Sequence, residues 1–343
     1  MNFMSDNVAG AAPEILAALA TANEGALPSY GADPVTERIT RDLAELFECD
    51  VTVFPVATGT AANALALSVL TPPYGAVYCH DEAHVQVDEC GAPELMSGGA
   101  KLAPLPGPHG KLDPVTLAAA LDKGGAGFVH HVQPAALTLT QATESGTVYT
   151  PDEVAALTDV ARAHKLRVHM DGARFANAVA SLACAPADIT WRAGVDVLSF
   201  GATKNGALAA EAVIFFDKGL AESFGYRRKR AGHLFSKMRF LSAQLDAYLT
   251  DGLWLRLATH ANAMAMRLAT GLDALPGVGL RSPVQANEVF AVMPEPMIAG
   301  LEAAGFRFYR WDGACIRLVT AWNTDASHVD AFLSTARGLA GIA

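Results

Sequence analysis

Seven short runs of mostly apolar residues mark the first two-thirds of the chain: 51–57 (VTVFPVA), 75–81 (GAVYCHD), 100–106 (AKLAPLP), 127–134 (GFVHHVQP), 166–173 (LRVHMDGA), 195–202 (VDVLSFGA) and 211–216 (EAVIFF). Each reads as a β-strand, and most are separated by segments with helical periodicity. In TPDEVAALTDVARAHK, Thr150 and Glu153 have capping-box spacing and Pro151 takes the first helical position. Val154, Leu157, Val160 and Ala161 then mark one apolar face. Strand–helix alternation of this kind predicts an α/β domain with a large, mostly parallel seven-stranded sheet covered on both faces. Ligands in such folds sit at the carboxyl ends of strands, which singles out Thr58, His84, Asp171 and Lys204.

The pattern changes after residue 217. Residues 218 to about 273 read as helical and include the basic stretch YRRKRAGHLFSKMRF. From about 275 the chain reads as a small α+β unit. NEVFAVMP and CIRLVTAW are its strands; PMIAGLEAAG and ASHVDAFLSTARGLAG are its helices. The expected division is a large domain over 1–250 and a small C-terminal domain over 251–343, in line with two domains for a chain of 343 residues.

Composition narrows the class. The chain is 51% hydrophobic and 17% charged, enough for a large core. A net charge of −10 argues against nucleic acid or an anionic membrane as partner. No apolar run is long enough to span a bilayer, and the N-terminus lacks the apolar stretch of a signal peptide. The five cysteines are scattered, with no CxxC pair or Cys/His ligand spacing, as expected of reduced thiols in a cytoplasmic protein without a metal site.

The chemistry centres on Lys204, in GATKNG between two apolar runs. A buried ammonium is costly unless paired or neutralised, so this lysine either reaches solvent from a turn or has chemistry that requires desolvation. Asp171, in HMDGAR at the preceding strand end, reads alone as a turn or cap residue. Together the pair suits pyridoxal 5′-phosphate (PLP), with lysine as the Schiff-base partner and aspartate on the pyridinium nitrogen. Thr58, Gly59 and Thr60 lie between a strand and a helix, where free N–H groups bind a phosphate or simply receive a cap. CHDEAHVQVDECGA holds four acidic residues and two histidines without tight zinc spacing, and reads as a solvated active-site loop. His84 there is either a loop residue or a ring that stacks on the cofactor and moves protons.

The segments SDN (5–7), SYGADPVT (29–36), TGTAAN (58–63), DEAH (81–84), TQATESGTVY (140–149), HMDGARFANA (169–178), SFGATKNG (199–206) and RLVTAWNT (317–324) cover nearly the whole chain. In this order they resemble the low-specificity L-threonine aldolase family, PLP enzymes of the aspartate aminotransferase fold within the β-eliminating lyase superfamily. The Thr-Lys-Asn-Gly form is most similar to the phenylserine aldolase subgroup. The resemblance implies that Lys204 forms the Schiff base, Asp171 pairs the pyridinium nitrogen and Arg174 lies near the phenolic oxygen side. It puts Gly59 and Thr60 on the phosphate, His84 on the ring, and Ser5 and Arg317 on the substrate carboxylate. Tyr30 and Asp33 match a loop that the family contributes to the active site. The family also uses a basic residue from a neighbouring subunit on the phosphate, matched here by Lys237, with Arg239 left open.

Two departures stand out. Where many members carry a second histidine in Thr-His-Asn-Gly, this chain has Thr143, Glu144, Ser145 and Gly146, and Gln141 replaces an acidic residue. Glu144 therefore either takes over as a base or water-orienting group, or the role is absent. The expected reaction is retro-aldol cleavage of a β-hydroxy-α-amino acid, such as L-threonine, L-allo-threonine or L-phenylserine, to glycine and an aldehyde in a homodimer or tetramer. The alternatives are a β-eliminating or transaminating PLP enzyme on the same scaffold, or a PLP-fold protein that only binds.

Overall fold

A computed structural model describes residues 1–341. Strands β1 (Thr52–Val56), β2 (Gly75–His80), β3 (Lys101–Leu105), β4 (Gln133–Thr140), β5 (Arg167–Gly172), β6 (Val197–Gly201) and β7 (Glu211–Phe215) form one sheet in the order β1-β7-β6-β5-β4-β2-β3. β7 runs antiparallel to both its neighbours, and the other four pairings are parallel. All positions of β2, β6 and β7 are buried, which is why these runs are largely apolar rather than alternating. One face packs on Ile39, Leu43, Phe47, Phe175 and Trp254. The other packs on the helix Gly59–Leu70 through Ala62, Leu65 and Ala66.

The parallel strands present their carboxyl ends, and the loops that follow them, along one edge of the sheet. Because β7 is reversed, its first residue joins that edge. Glu211 lies in register with Val56 at the end of β1 and with Gly201 at the end of β6. The capping box closes as expected: the Glu153 N–H donates to Thr150 Oγ1 at 3.2 Å, and the Thr150 N–H donates to Glu153 Oε2 at 2.7 Å.

The strand expected over 127–134 is corrected. Its apolar run is a loop, and β4 begins only at Gln133. Gln133 closes that loop itself: its Oε1 accepts from the Gly127 N–H at 2.7 Å and its Nε2 donates to the His131 carbonyl at 2.9 Å. Gly125 and Gly127 supply left-handed turns there, and Phe128 and Val129 stay exposed.

A second, antiparallel sheet of β8 (Gly279–Leu280), β9 (Glu288–Val292), β10 (Tyr309–Asp312) and β11 (Cys315–Val319) has the order β10-β11-β9-β8. β9, β11 and the helices Glu295–Ala303 and Ala326–Leu339 match the sequence pattern. β8 and β10 escape it, since one has two residues and the other is exposed throughout. The helix Leu253–Asp273 buries Trp254 and Ala258 against the first core, and Ala265, Leu268 and Leu272 in the second. The N-terminal segment docks on the small sheet. Phe3 packs edge-on against Phe332 and its carbonyl accepts from the Val319 N–H at 2.8 Å, which carries Ser5–Asn7 toward the large sheet's edge. Among the described residues no helix is long and apolar enough to cross a membrane.

Candidate active site

At the end of β1 the chain turns into the helix Gly59–Leu70. Thr58 is its N-cap, accepting the Ala61 N–H at 3.2 Å. The Gly59 and Thr60 N–H groups open the helix and have no intrahelical carbonyl to bond, which leaves them free to receive an anion. At the end of β6 the chain makes a single tight turn, Thr203–Asn205, closed by Gly206 in the left-handed region. That turn delivers Lys204, half-buried, into the same cavity of about 250 Å³. Asn205 anchors the turn by donating to Tyr248 Oη at 2.7 Å and to the Trp254 carbonyl at 2.8 Å. Lys204 is therefore neither stranded in the sheet nor fully exposed.

Asp171, buried on β5, accepts from the Ala173 N–H at 3.0 Å and from Asn63 Nδ2 at 2.7 Å. Asn63 Nδ2 also donates to Glu89 Oε1 at 2.8 Å, and that oxygen lies 2.9 Å from His84 Nδ1. The loop over 79–92 is solvated at Asp81 and Asp88 as expected, but Glu89 departs from that reading: it is buried and its carboxyl is raised by that burial. The bond to Glu89 outweighs desolvation at His84 and raises the imidazole above its ordinary value. His84, Glu89 and Asp171 come close enough to hold an ion, but Asn63 already bridges the two carboxylates. Behind Asp171, His169 sits between Thr138 and Ser199, and burial drops it to about 4, so it stays neutral.

Glu144 lies in the turn after β4, where Gly146 at φ 75 passes so close to the Glu288 backbone that a Cβ there would come within 2.9 Å of its carbonyl oxygen. Glu144 Oε1 accepts the His84 N–H at 2.7 Å, and Oε2 is buried without a partner among the described residues. Desolvation first, and Asp171 second, push this carboxyl up to about 7. Gln141, the other departure, ties the same segment down by exchanging two hydrogen bonds with the Tyr149 backbone at 2.8 and 2.9 Å.

A second cavity, of about 350 Å³, adjoins the first and shares Asn7, His84, Glu144, Arg174 and Lys204 with it. Ser5 and Arg317 line it. The Arg317 guanidinium lies 5.0 Å from the Tyr309 ring centroid and 5.1 Å from that of Trp311, and its Nε has no partner among the described residues. Arg174, largely buried, forms a bidentate pair with Asp6, at 2.8 and 3.1 Å, and reaches Glu288 at 3.3 Å. Burial would raise the Asp6 carboxyl, but Arg174 and Lys204 outweigh it and hold it below the usual range. An Arg174→Met substitution leaves two buried carboxylates uncompensated. We expect it to lower unfolding free energy by about 3–5 kcal/mol in urea titrations.

The β-eliminating lyase family model matches residues 2–296. The chain belongs to the β-eliminating lyase family. Within it, this family member groups with the low-specificity L-threonine aldolases. The protein of that name from Pseudomonas aeruginosa is 48% identical over 95% of this chain and 94% of its own length. Its counterpart from Pseudomonas sp. strain NCIMB 10558 is 47% identical over the same shares. The structure of Leishmania major threonine aldolase covers 99% of both chains with a TM-score of 0.93 at 31% identity. The fold is accordingly that of the PLP-dependent enzymes.

This β-eliminating lyase family is PLP-dependent, and the cavity fits the cofactor. A buried carboxylate at Asp171 suits a protonated ring nitrogen, and Lys204 offers an amine to the aldehyde. The Gly59 and Thr60 N–H groups suit the phosphate, and the short side chains of Ala57, Ala142 and Ala173 leave space for a flat ring. Two residues with expected roles are not brought in. Tyr30 is half-exposed with its N–H on the Ser236 carbonyl, and Lys237 is exposed; neither lines either cavity of its own chain. Arg239 donates to the Gly25 carbonyl instead, and Asp33 caps the helix Pro34–Leu46. Sequence reasoning passed over Asn63, Glu89 and Glu211. The available signal was polarity in apolar settings: an asparagine inside AANALALSVL and a glutamate opening a fully buried strand.

Proposed function

We propose that this protein cleaves β-hydroxy-α-amino acids between Cα and Cβ, releasing glycine and an aldehyde. The observation that carries the reading is Glu144, a buried carboxyl with one free oxygen at the junction of the cofactor-fitting cavity and the Arg317 cavity. PLP bound there supplies an electron sink for the bond that breaks. Lys204 would hold it through its amine, Asp171 would pair its ring nitrogen, His84 would lie against its ring and Arg174 near its phenolic oxygen. Thr58, Gly59 and Thr60 would take the phosphate.

Arg317 and Ser5 hold the substrate carboxylate. The Tyr309 and Trp311 rings restrict where the guanidinium can swing, and its Nη2, donating to the Met4 carbonyl at 3.3 Å, holds it beside the segment that carries Ser5. Glu144 takes the proton of the β-hydroxyl. His84 suits that step less well, because Glu89 favours its charged form. The protein works as a cytoplasmic homo-oligomer, in which Tyr30 and Lys237 serve a neighbouring chain's site. Their exposure outside their own cavities supports this, as do five unpaired cysteines.

The test is a panel of L-threonine, L-allo-threonine and both L-phenylserine diastereomers, scored for glycine and aldehyde. Ammonia with an α-keto acid would identify a β-eliminating enzyme instead, and an α-keto acid without free ammonia a transaminating one. Cofactor binding without any product would leave only a binding protein.

A further inference from the structure

Glu211 is a buried acid to which the reaction above gives no work. In register with Val56 and Gly201, it sits between the loop leading into Thr58–Thr60 and the turn carrying Lys204. Its Oε2 accepts the Ala202 N–H at 3.0 Å, and its side chain lines the cavity together with Thr58, Gly59, Thr60 and Thr203. Among the described residues it forms no ion pair within 4.0 Å. The titratable groups facing it are Lys204 from the turn after β6, Asp171 from β5 and Tyr248 from the helix Arg239–Leu249, while β1 presents only Val56. An ionised carboxylate at that place would oppose the very anion the helix N-terminus attracts.

We propose that Glu211 belongs to the phosphate subsite and holds the cofactor's phosphate as a neutral carboxyl, its O–H donating to a phosphate oxygen, so that anion binding takes up one proton. This rests on the PLP site described above. Burial already pushes the carboxyl up to about 7, with Thr203, Ala202 and Lys204 pulling the other way and Asp171 adding to the rise. A bound dianion raises it further. The sign follows: anion affinity is full below about 7 and falls as pH rises through it.

Sulfate is the probe, because it stays a dianion across this range, and the protein is the full chain stripped of cofactor. Wild-type protein should bind sulfate about 10-fold more tightly at about pH 6.5 than at about pH 8.5. Calorimetry in buffers of different ionisation enthalpy should record uptake of about one proton at the higher pH. Glu211→Gln, a fixed neutral mimic, should flatten the pH dependence and bind sulfate at about pH 8.5 as tightly as wild type does at about pH 6.5. A pH-independent wild type overturns the proposal without any variant. A Glu211→Gln protein that keeps the wild-type slope, or loses affinity equally at both pH values, also overturns it; the latter would mark Glu211 as an anion facing Lys204. PLP titration of the wild type, read near about 420 nm, tests the cofactor site separately. An absent band defeats that reading, whereas a normal band with flat sulfate binding defeats only this one.

Discussion

Replacing Lys204 with alanine should lower aldehyde release from L-threonine and L-phenylserine by on the order of 10³-fold or more. It should also remove the absorbance near about 420 nm that PLP gives when joined to a lysine. The structure offers no substitute. The Thr203–Asn205 turn is pinned by Asn205 to Tyr248 and Trp254, and among the described residues lining the first cavity Lys204 is the one lysine. The other cation there, Arg174, is committed to Asp6 and Glu288. Residual cofactor in the variant should be held only by the phosphate and ring contacts and should dialyse away. Aldehyde release at the wild-type rate would sink the assignment.

Glu144→Gln should lower kcat by about 10²–10⁴-fold, the usual range for losing a general base, with KM little changed. Its Oε1 is occupied by the His84 N–H, and Oε2, buried without a partner among the described residues, is the oxygen expected to take the proton. With burial first and Asp171 second, the carboxyl titrates at about 7. A base acts only when deprotonated, so wild-type kcat/KM should rise with pH through about 7 and fall away below it. The Gln variant should lose that limb while keeping its cofactor spectrum. If His84→Asn removes the limb and Glu144→Gln retains it, the base is His84. Because glutamine still accepts the His84 N–H, the variant leaves the local backbone in place and reads chemistry rather than folding.

Much of this site was legible because its parts lie where strands end. Lys204, Asp171 and Thr58–Thr60 follow or close apolar runs, and in an open α/β sheet such positions share one edge whatever the strand order. The apolar run FVHHV was misread because apolar content alone does not distinguish a strand from a loop that leaves apolar residues exposed. There the decision fell to Gln133 closing the loop on Gly127 and His131. Glu89 lies in a loop that reads as solvated from its sequence, whereas its neighbours in space are Asn63 and His84. Tyr30 and Lys237 carry motif matches, yet the chain places both outside its own cavities.

The sequence by itself determined the strand–helix alternation, the two kinds of sheet and the placing of one lysine and one aspartate at neighbouring strand ends. These are local matters of periodicity, capping and chain order. Only the tertiary structure decided what the carboxyls do. The reversed pairing of β7 brings Glu211 beside the helix N-terminus at Thr58–Thr60, and the turn at Gly146 sets Glu144 where two cavities meet, its carboxyl desolvated. Proton affinity depends on desolvation and on charges through space, and residues distant in the chain set both.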